Sequence, residues 1–201
     1  MFRLTDISQG SSSDILLRIL FFVLIFYAVL PILGFVADLL ERGLFFLFSR
    51  FVNQRIALFV CNRFTFMGTI LHELSHALFI ILTGGKVLHI SCFDVFRGDS
   101  LGHVDFALRG GRVQRSFQLT LGSAAPTIVL GTILFSLLFY VWSFCFLWWH
   151  YVIVVYGIFS CICHMSMSFT DIKNYFRGLP VVLPISYLIV FVCVWLSVVF
   201  V

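Results

Sequence analysis

The chain has 201 residues with a formal charge of +4, and 61% of them are hydrophobic while only 11% are charged. Soluble globular domains carry about 25% charged residues, so this composition excludes an ordinary water-soluble domain. The mean hydropathy of +1.10 and repeated apolar runs near the roughly 20 residues that cross a membrane predict a multi-pass protein of the lipid bilayer. The sequence has no nucleic-acid-binding pattern, and we expect no nucleic-acid partner.

The predicted fold is an all-α polytopic membrane protein with about five transmembrane helices. The segments with the required length and apolarity are residues 15–37, 64–83, 119–142, 151–165 and 181–201. Pro31 predicts a kink in the first segment, and Pro184 interrupts the last. The start, MFRLTDISQGSSSD, is polar and too acidic for the basic start of a signal peptide, and no small-residue cleavage site follows the first segment. That segment is therefore expected to be retained.

Residues 44–60 lie between the first two predicted helices and have mixed character. They are rich in phenylalanine, but Arg50, Asn53, Gln54 and Arg55 interrupt the apolar run. An interfacial amphipathic helix fits this pattern better than a further span. The alternative is a sixth, tilted helix that its neighbours bury.

Lysine and arginine residues in the loops indicate the orientation, since the cytoplasmic side carries the excess of both. With five spans, the N-terminus and the segments 84–118 and 166–180 share one side of the membrane. The basic residues of that side are Arg3, Lys86, Arg97, Arg109, Arg112, Arg115, Lys173 and Arg177, and those of the other side are Arg42, Arg50, Arg55 and Arg63. The N-terminus is therefore predicted to be cytoplasmic, and the compact chain suggests a bacterial inner membrane.

The second predicted helix contains an HExxH motif within GTILHELSHALFIILTGG, residues 68–85. His72 and His76 are four residues apart and share a helix face, so both imidazoles can bind a single metal ion. Glu73 is placed to take a proton from a metal-bound water rather than to bind the metal. Ionisable residues inside a span cost about 3 kcal/mol each on insertion scales and are functional by default. The alternative is a hydrogen-bonded polar cluster that joins helices.

Catalytic zinc usually has three protein ligands and one open position, so the motif needs a ligand from elsewhere. Asp171, in HMSMSFTDIKNYFRGLP, is the strongest candidate because the predicted topology places it at the same depth as His76. A carboxylate would also partly neutralise the ion in a low-dielectric site. Asp171 could instead serve as a helix N-cap, and His164 is the best rival ligand. The remaining histidines outside the motif are His89, His103 and His150.

Residues 86–115 predict a small β-hairpin region on the cytoplasmic side, just after Gly84 and Gly85, either of which suits a helix C-cap. KVLHISCFDVF and GHVDFALRG alternate loosely, which predicts two or more short strands. The turn points are Gly98, Gly102, Gly110 and Gly111. An exposed strand edge could pair with an unwound substrate, or the strands could only cap the cytoplasmic face. His103 and Asp105 are interpreted as solvated loop groups rather than ligands.

The six cysteines lie mostly within or beside apolar segments and form no CxxC pair. This pattern does not indicate a disulfide framework or a cysteine zinc site. They are interpreted as buried thiols that act as small hydrophobic side chains.

With HELSHAL in one span and a later aspartate at the cytoplasmic end of another, the chain resembles the site-2 protease family of intramembrane zinc metalloproteases. The resemblance covers roughly residues 64–180. It implies a three-helix protease core at 64–83, 119–142 and 151–171, with the β-hairpin region between the first two helices. Residues 1–63, with the N-terminal helix and the interfacial segment, and the C-terminal helix at 181–201 would be additions.

The resemblance also implies a role for each residue of the site. His72, His76 and Asp171 would bind Zn²⁺, and Glu73 would be the general base. Asp171 is followed by Ile172, where the family usually has glycine.

The expected function is zinc-dependent intramembrane proteolysis, in which a peptide bond in or near a transmembrane helix of a single-pass substrate protein is hydrolysed. The alternative is a non-proteolytic membrane scaffold or accessory protein that retains the metal-binding motif. An ion transporter is a third hypothesis, with less support because the sequence contains a single polar cluster within its spans.

Overall fold

The computed structural model describes residues 12–91 and 102–199, most of which are helical. The α-helices of this part of the chain are α1 (Ser12–Phe51), α2 (Gln54–Leu58), α3 (Phe66–Leu82), α4 (Arg112–Phe139), α5 (Trp148–His164) and α6 (Phe169–Val199). A π-helical turn, Phe59–Phe64, leads into α3, and a 3₁₀ turn, Val141–Phe144, follows α4. The strands β1 (Lys86–Ser91) and β2 (His103–Ala107) form an antiparallel sheet. Cys92 and Gly98 lie outside the described residues.

Three of these helices, α1, α4 and α6, are long and apolar enough to cross a membrane. The number of possible spans rises to four if the segments Gln54–Cys61 and Phe66–Leu82, which meet at a bend of 45°, count as one broken span. The prediction of five spans is therefore wrong in number. The difference arises because α3 and α5 have only 17 residues each. A helix of that length is about 25 Å long, which is shorter than the roughly 30 Å hydrocarbon core of a bilayer.

Two predicted helix boundaries also differ from the observed ones. Residues 44–51 continue α1 without a break, and α2 begins only after Asn53, whose side chain accepts a hydrogen bond from the Arg55 amide. A single interfacial helix over residues 44–60 is thus wrong. The last long helix begins at Phe169 instead of residue 181, so Asp171 lies in the first turn of α6. It does not end the preceding helix, as the predicted core segment 151–171 required.

The centre of the bundle is α4, which packs against α1, α3, α5 and α6. Its small residues Ala124 and Ala125 are fully buried, which allows its neighbours to approach closely. From the side of α6, Gly178 lies so close to Ser116 and Thr120 that a methyl group would not fit. Gly178 therefore lets α6 pack closely against α4.

Apolar side chains cover the outside of the bundle, and many polar ones lie inside. Phe22 and Trp195 are 64% and 59% exposed, whereas Gln118 and Thr120 are fully buried. Buried polar groups need hydrogen-bond partners, and Gln118 has three, which are the Thr83 carbonyl and the amide and carbonyl of Arg109. This distribution is typical of helices that face lipid and keep polar groups between them.

The hairpin lies beside the motif helix, since both strands contact α3. The predicted helix C-cap is confirmed. Gly84 has a φ of +82°, and the amides of Gly84 and Gly85 donate to the carbonyls of Ile81 and Ile80 at 2.9 and 2.7 Å. This is the Schellman arrangement, which ends the helix and turns the chain directly into β1.

Candidate metal centre

Three side chains from two helices converge on one point. His72 and His76 come from α3 and Asp171 from the first turn of α6, and one ligand atom of each lies within 4.8 Å of the other two. The two Nε2 atoms are 3.2 Å apart, and His76 Nε2 is 3.7 Å from Asp171 Oδ1. Zinc ligands at about 2.0–2.2 Å from a tetrahedral ion lie about 3.4 Å from one another. These residues could therefore hold one such ion after small side-chain rotations.

Backbone carbonyls fix the orientation of both imidazoles. His72 Nδ1 lies 2.7 Å from the carbonyl of His164, and His76 Nδ1 lies 2.8 Å from the carbonyl of Gly122. A carbonyl only accepts, so each Nδ1 carries the proton, and in the neutral imidazole the Nε2 lone pair then points at the shared position. Metal-binding histidines characteristically donate their second N–H in this way.

The same arrangement is unfavourable without a cation. Two unprotonated Nε2 atoms 3.2 Å apart present their lone pairs to each other, and both side chains are partly buried. A metal ion or a proton between them removes this repulsion. The pair could therefore share a cation, while the two Nδ1 bonds join α3 to α5 and α4.

Asp171 combines two roles that the sequence left as alternatives. Its Oδ2 accepts hydrogen bonds from the amide and hydroxyl of Ser168 at 3.1 and 2.6 Å, and its own amide donates to Ser168 Oγ at 3.1 Å. This reciprocal pair is a capping box, with Ser168 as the N-cap of α6. The other oxygen, Oδ1, faces His76. One carboxylate therefore starts the helix and still offers a ligand atom.

His164, the rival third ligand, is used differently. Its Nε2 lies 2.8 Å from Thr65 Oγ1, and its buried ring packs against Gly68. Its backbone carbonyl, rather than its ring, serves the site by holding His72. His150 lies at the start of α5, at the other end of that helix from His164. Its Nδ1 accepts hydrogen bonds from the amides of Phe146 and Leu147.

Glu73 is 9% exposed and lies beneath the start of β2. A Cβ placed on Gly102 would lie 3.0 Å from Glu73 Cγ and 3.3 Å from its Oε1. The hairpin is therefore in van der Waals contact with the candidate general base, and glycine at position 102 makes this approach possible.

A cavity of about 150 Å³, to which several polar residues contribute, adjoins the centre. Its lining residues are Glu41, Thr69, His72, Glu73, Cys163, His164, Ser166 and Ser168. This volume is large enough for water molecules. The buried hydroxyl of Thr69 has no hydrogen-bond partner among the described residues, which marks a place for a water. The cavity thus provides space for water beside Glu73 within an apolar bundle.

Glu41, which the sequence did not indicate as a site residue, reaches this cavity from α1. Its Oε2 accepts a hydrogen bond from Ser166 Oγ at 2.9 Å. Glu41 and Glu73 are the chain's only glutamates, and both line the same space. The signal that could have indicated Glu41 is an ionisable residue within a long apolar helix. Its hydrogen-bond partner Ser166 is distant in sequence, so the contact itself could not be predicted.

A second group of possible ligands lies on the hairpin and contains His89, His103 and Asp105, all exposed. His103 and Asp105 are exposed, as the interpretation of solvated groups requires, but both belong to the predicted strand GHVDFALRG and not to a loop. Of the cysteines, Cys61, Cys145, Cys161 and Cys163 are buried free thiols as expected, whereas Cys193 is exposed.

No family model, curated protein or solved structure matches this chain. The geometry of the site is therefore the only indication of what the protein does.

Proposed function

We propose that the chain is an intramembrane zinc metalloprotease that hydrolyses a peptide bond in or near a transmembrane helix of a single-pass substrate protein. The observation that carries this proposal is the convergence of His72, His76 and Asp171 beside Glu73, with both Nδ1 atoms held by carbonyls. The apolar exterior of the bundle supports a multi-pass location. The proposed location is a bacterial inner membrane, and the N-terminus is cytoplasmic if α3 and α5 also cross the bilayer.

The donor set fits zinc. Two imidazole nitrogens and one carboxylate oxygen are ligands that zinc commonly takes, and three protein ligands leave one coordination position open. Bound zinc would polarise the scissile carbonyl and lower the pKa of its water. Asp171 brings one negative charge to the proposed ligand set. This charge offsets part of the charge of the ion in a site of low dielectric constant.

Glu73 has the position of the general base. It follows His72 directly in α3, so it lies beside the proposed ligands without belonging to the converging group. Its carboxylate would accept a proton from the attacking water and pass it to the amine nitrogen as the peptide bond breaks. The cavity between Glu41 and Glu73 would hold the supply of water.

A helical substrate must unwind before it is cleaved, because its carbonyls are hydrogen-bonded within the helix. The hairpin lies above Glu73 and offers strand edges with which an extended segment could pair. Helix-breaking residues in the substrate, such as glycine or proline, should therefore increase cleavage.

The test uses purified wild-type protein in proteoliposomes with single-pass helical substrates that do or do not carry a central Gly-Pro pair. Mass spectrometry detects new peptide ends, and elemental analysis gives the zinc content. We expect Glu73→Gln to keep zinc and lose cleavage, and His76→Ala and Asp171→Ala to lose both. Cleavage that persists in Glu73→Gln would contradict the proposal. Zinc without cleavage of any substrate would favour the scaffold alternative.

A further inference from the structure

The hairpin carries a second cluster of metal-binding side chains. His89 on β1 lies directly opposite Asp105 on β2, and His103 precedes Asp105 by two residues on the same strand. Side chains at alternate positions, and at directly opposed positions, share one face of a sheet. The three side chains therefore lie together, on the face that is exposed.

Ligand atoms of this cluster lie farther apart than the roughly 3.4 Å expected around a bound tetrahedral ion. One ligand atom of each residue lies within 4.8 Å of the other two. His103 Nε2 is 4.0 Å from Asp105 Oδ2, and the rings of His89 and His103 are stacked with centroids 5.7 Å apart. All three side chains are exposed, so rotations about their χ angles can close the remaining gap without disturbing a packed core.

A β-bulge brings His89 to this face. Val87 pairs with Phe106, but the next pair joins His89 to Asp105, so Leu88 is an extra residue on β1. In a regular ladder Leu88 would oppose Asp105, and His89 would point to the opposite face, because a shift of one residue reverses every side chain. Bulges are a known means of redirecting a side chain near functional sites.

We propose that His89, His103 and Asp105 form a second metal site, which binds a divalent transition cation of the zinc class on the outer face of the hairpin. The donors are two imidazoles and one carboxylate, which suit such ions better than they suit Mg²⁺ or Ca²⁺. The open face leaves the remaining coordination positions to water.

The stability of the hairpin gives no separate reason for placing these three residues together. Histidine and aspartate are not preferred over β-branched residues in strands, and an exposed ion pair contributes little. Four of the chain's six histidines lie in two groups, each completed by one aspartate. The second group repeats the donor set of the first on a different element.

The site would link the two strands where the hairpin approaches Glu73. Gly102, which contacts that glutamate, directly precedes His103. A cation held by both strands would fix the start of β2 over α3. Binding of the metal itself requires no proteolytic activity, so this site can be tested even if the proposed function fails.

The experiment titrates the full-length protein in detergent with Zn²⁺ and, in parallel, with Co²⁺, whose visible absorption reports protein ligands. We expect two equivalents in the wild type and one in His103→Ala and in His89→Ala. Lys86→Ala, on the same strand, is the control and should keep two. The variant His72→Ala/His76→Ala should keep one equivalent, which is lost when His103→Ala is added.

Hydrogen exchange of the strand amides gives a second measurement that does not depend on stoichiometry. At a free zinc concentration about 100 times the dissociation constant, exchange in β1 and β2 should slow about 100-fold in the wild type and not in His103→Ala. A wild type whose bound zinc is lost entirely in His72→Ala/His76→Ala would overturn the proposal. A second equivalent that both His89→Ala and His103→Ala retain would overturn it as well.

Discussion

Ser168 and Asp171 are joined by reciprocal hydrogen bonds that start α6 and orient one carboxylate oxygen toward His76. Each carboxylate oxygen of Asp171 thus has its own partner. Oδ2 accepts hydrogen bonds from Ser168, and Oδ1 faces the imidazole of His76. A ligand fixed in this way loses little conformational entropy when it binds an ion. Ser168 therefore has a positioning role in the proposed metal centre, although it does not touch the metal position.

Replacement of Ser168 by alanine should weaken zinc binding about 10- to 100-fold, which is the usual effect of removing a hydrogen bond to a metal ligand. Loss of the N-cap should also destabilise the protein by about 1 kcal/mol. Competition with a chelator measures the affinity. Ser166→Ala is the matched control, because Ser166 bonds to Glu41 and not to Asp171. Equal affinities in the two variants would remove Ser168 from the site.

A side chain at position 102 should impair hydrolysis without affecting zinc. The Cβ of Gly102→Ala would lie 2.9 Å from the Ser91 carbonyl and 3.0 Å from Glu73 Cγ, so the strand or the glutamate must move. A displacement of about 1 Å at a catalytic group can reduce the rate about 100-fold. Turnover of a cleaved substrate and zinc content are measured together. Gly131→Ala is the control, since its Cβ would have open space around it. Full activity in Gly102→Ala would show that the hairpin does not position Glu73.

The residues of the site differ in how far the sequence could predict them. His72, Glu73 and His76 follow from local helical periodicity, which the structure retains in α3. Asp171 required an argument about topology, and it reached the same point although it lies on α6 and not at the end of α5. The carbonyls that orient the imidazoles could not be predicted, because any residue type can supply a carbonyl and only tertiary packing decides which one is close.

The fold shows the same division between local and non-local information. The Gly84 C-cap was predicted from a local signal, whereas the number of spans was not, because hydropathy does not show where helices break or continue. Residues 44–51 continue α1 although polar residues follow them. The bulge at Leu88 is also invisible in the sequence, and this is why His89 and Asp105 were not recognised as neighbours.

The contact between α1 and α6 should depend on Tyr175. Its fully buried hydroxyl donates to the Tyr27 carbonyl at 2.6 Å. Tyr175→Phe removes this donor and leaves a carbonyl without that partner, so the free energy of unfolding should fall by about 1–3 kcal/mol.

Reversible unfolding in mixed detergent micelles measures that loss. Tyr187→Phe is the control, since its exposed hydroxyl makes a longer contact of 3.4 Å to the Leu16 carbonyl and should cost much less. If both variants lose the same stability, the buried hydrogen bond does not hold the two helices together.

Exchange of two neighbouring residues, His89→Ile/Ile90→His, should abolish the second metal site while every proposed ligand type remains in the chain. Ile90 pairs with Val104, so the exchanged imidazole would lie on the face opposite to His103 and Asp105. The variant should therefore bind one zinc fewer than the wild type, and the Co²⁺ absorption of the HExxH centre should persist. A chain that lacks Leu88, in which His89 can oppose Asp105 in a regular ladder, should bind as many zinc ions as the wild type. If the exchange keeps the second equivalent, the strand pairing does not place His89, and the ligand set assigned to the hairpin is incorrect.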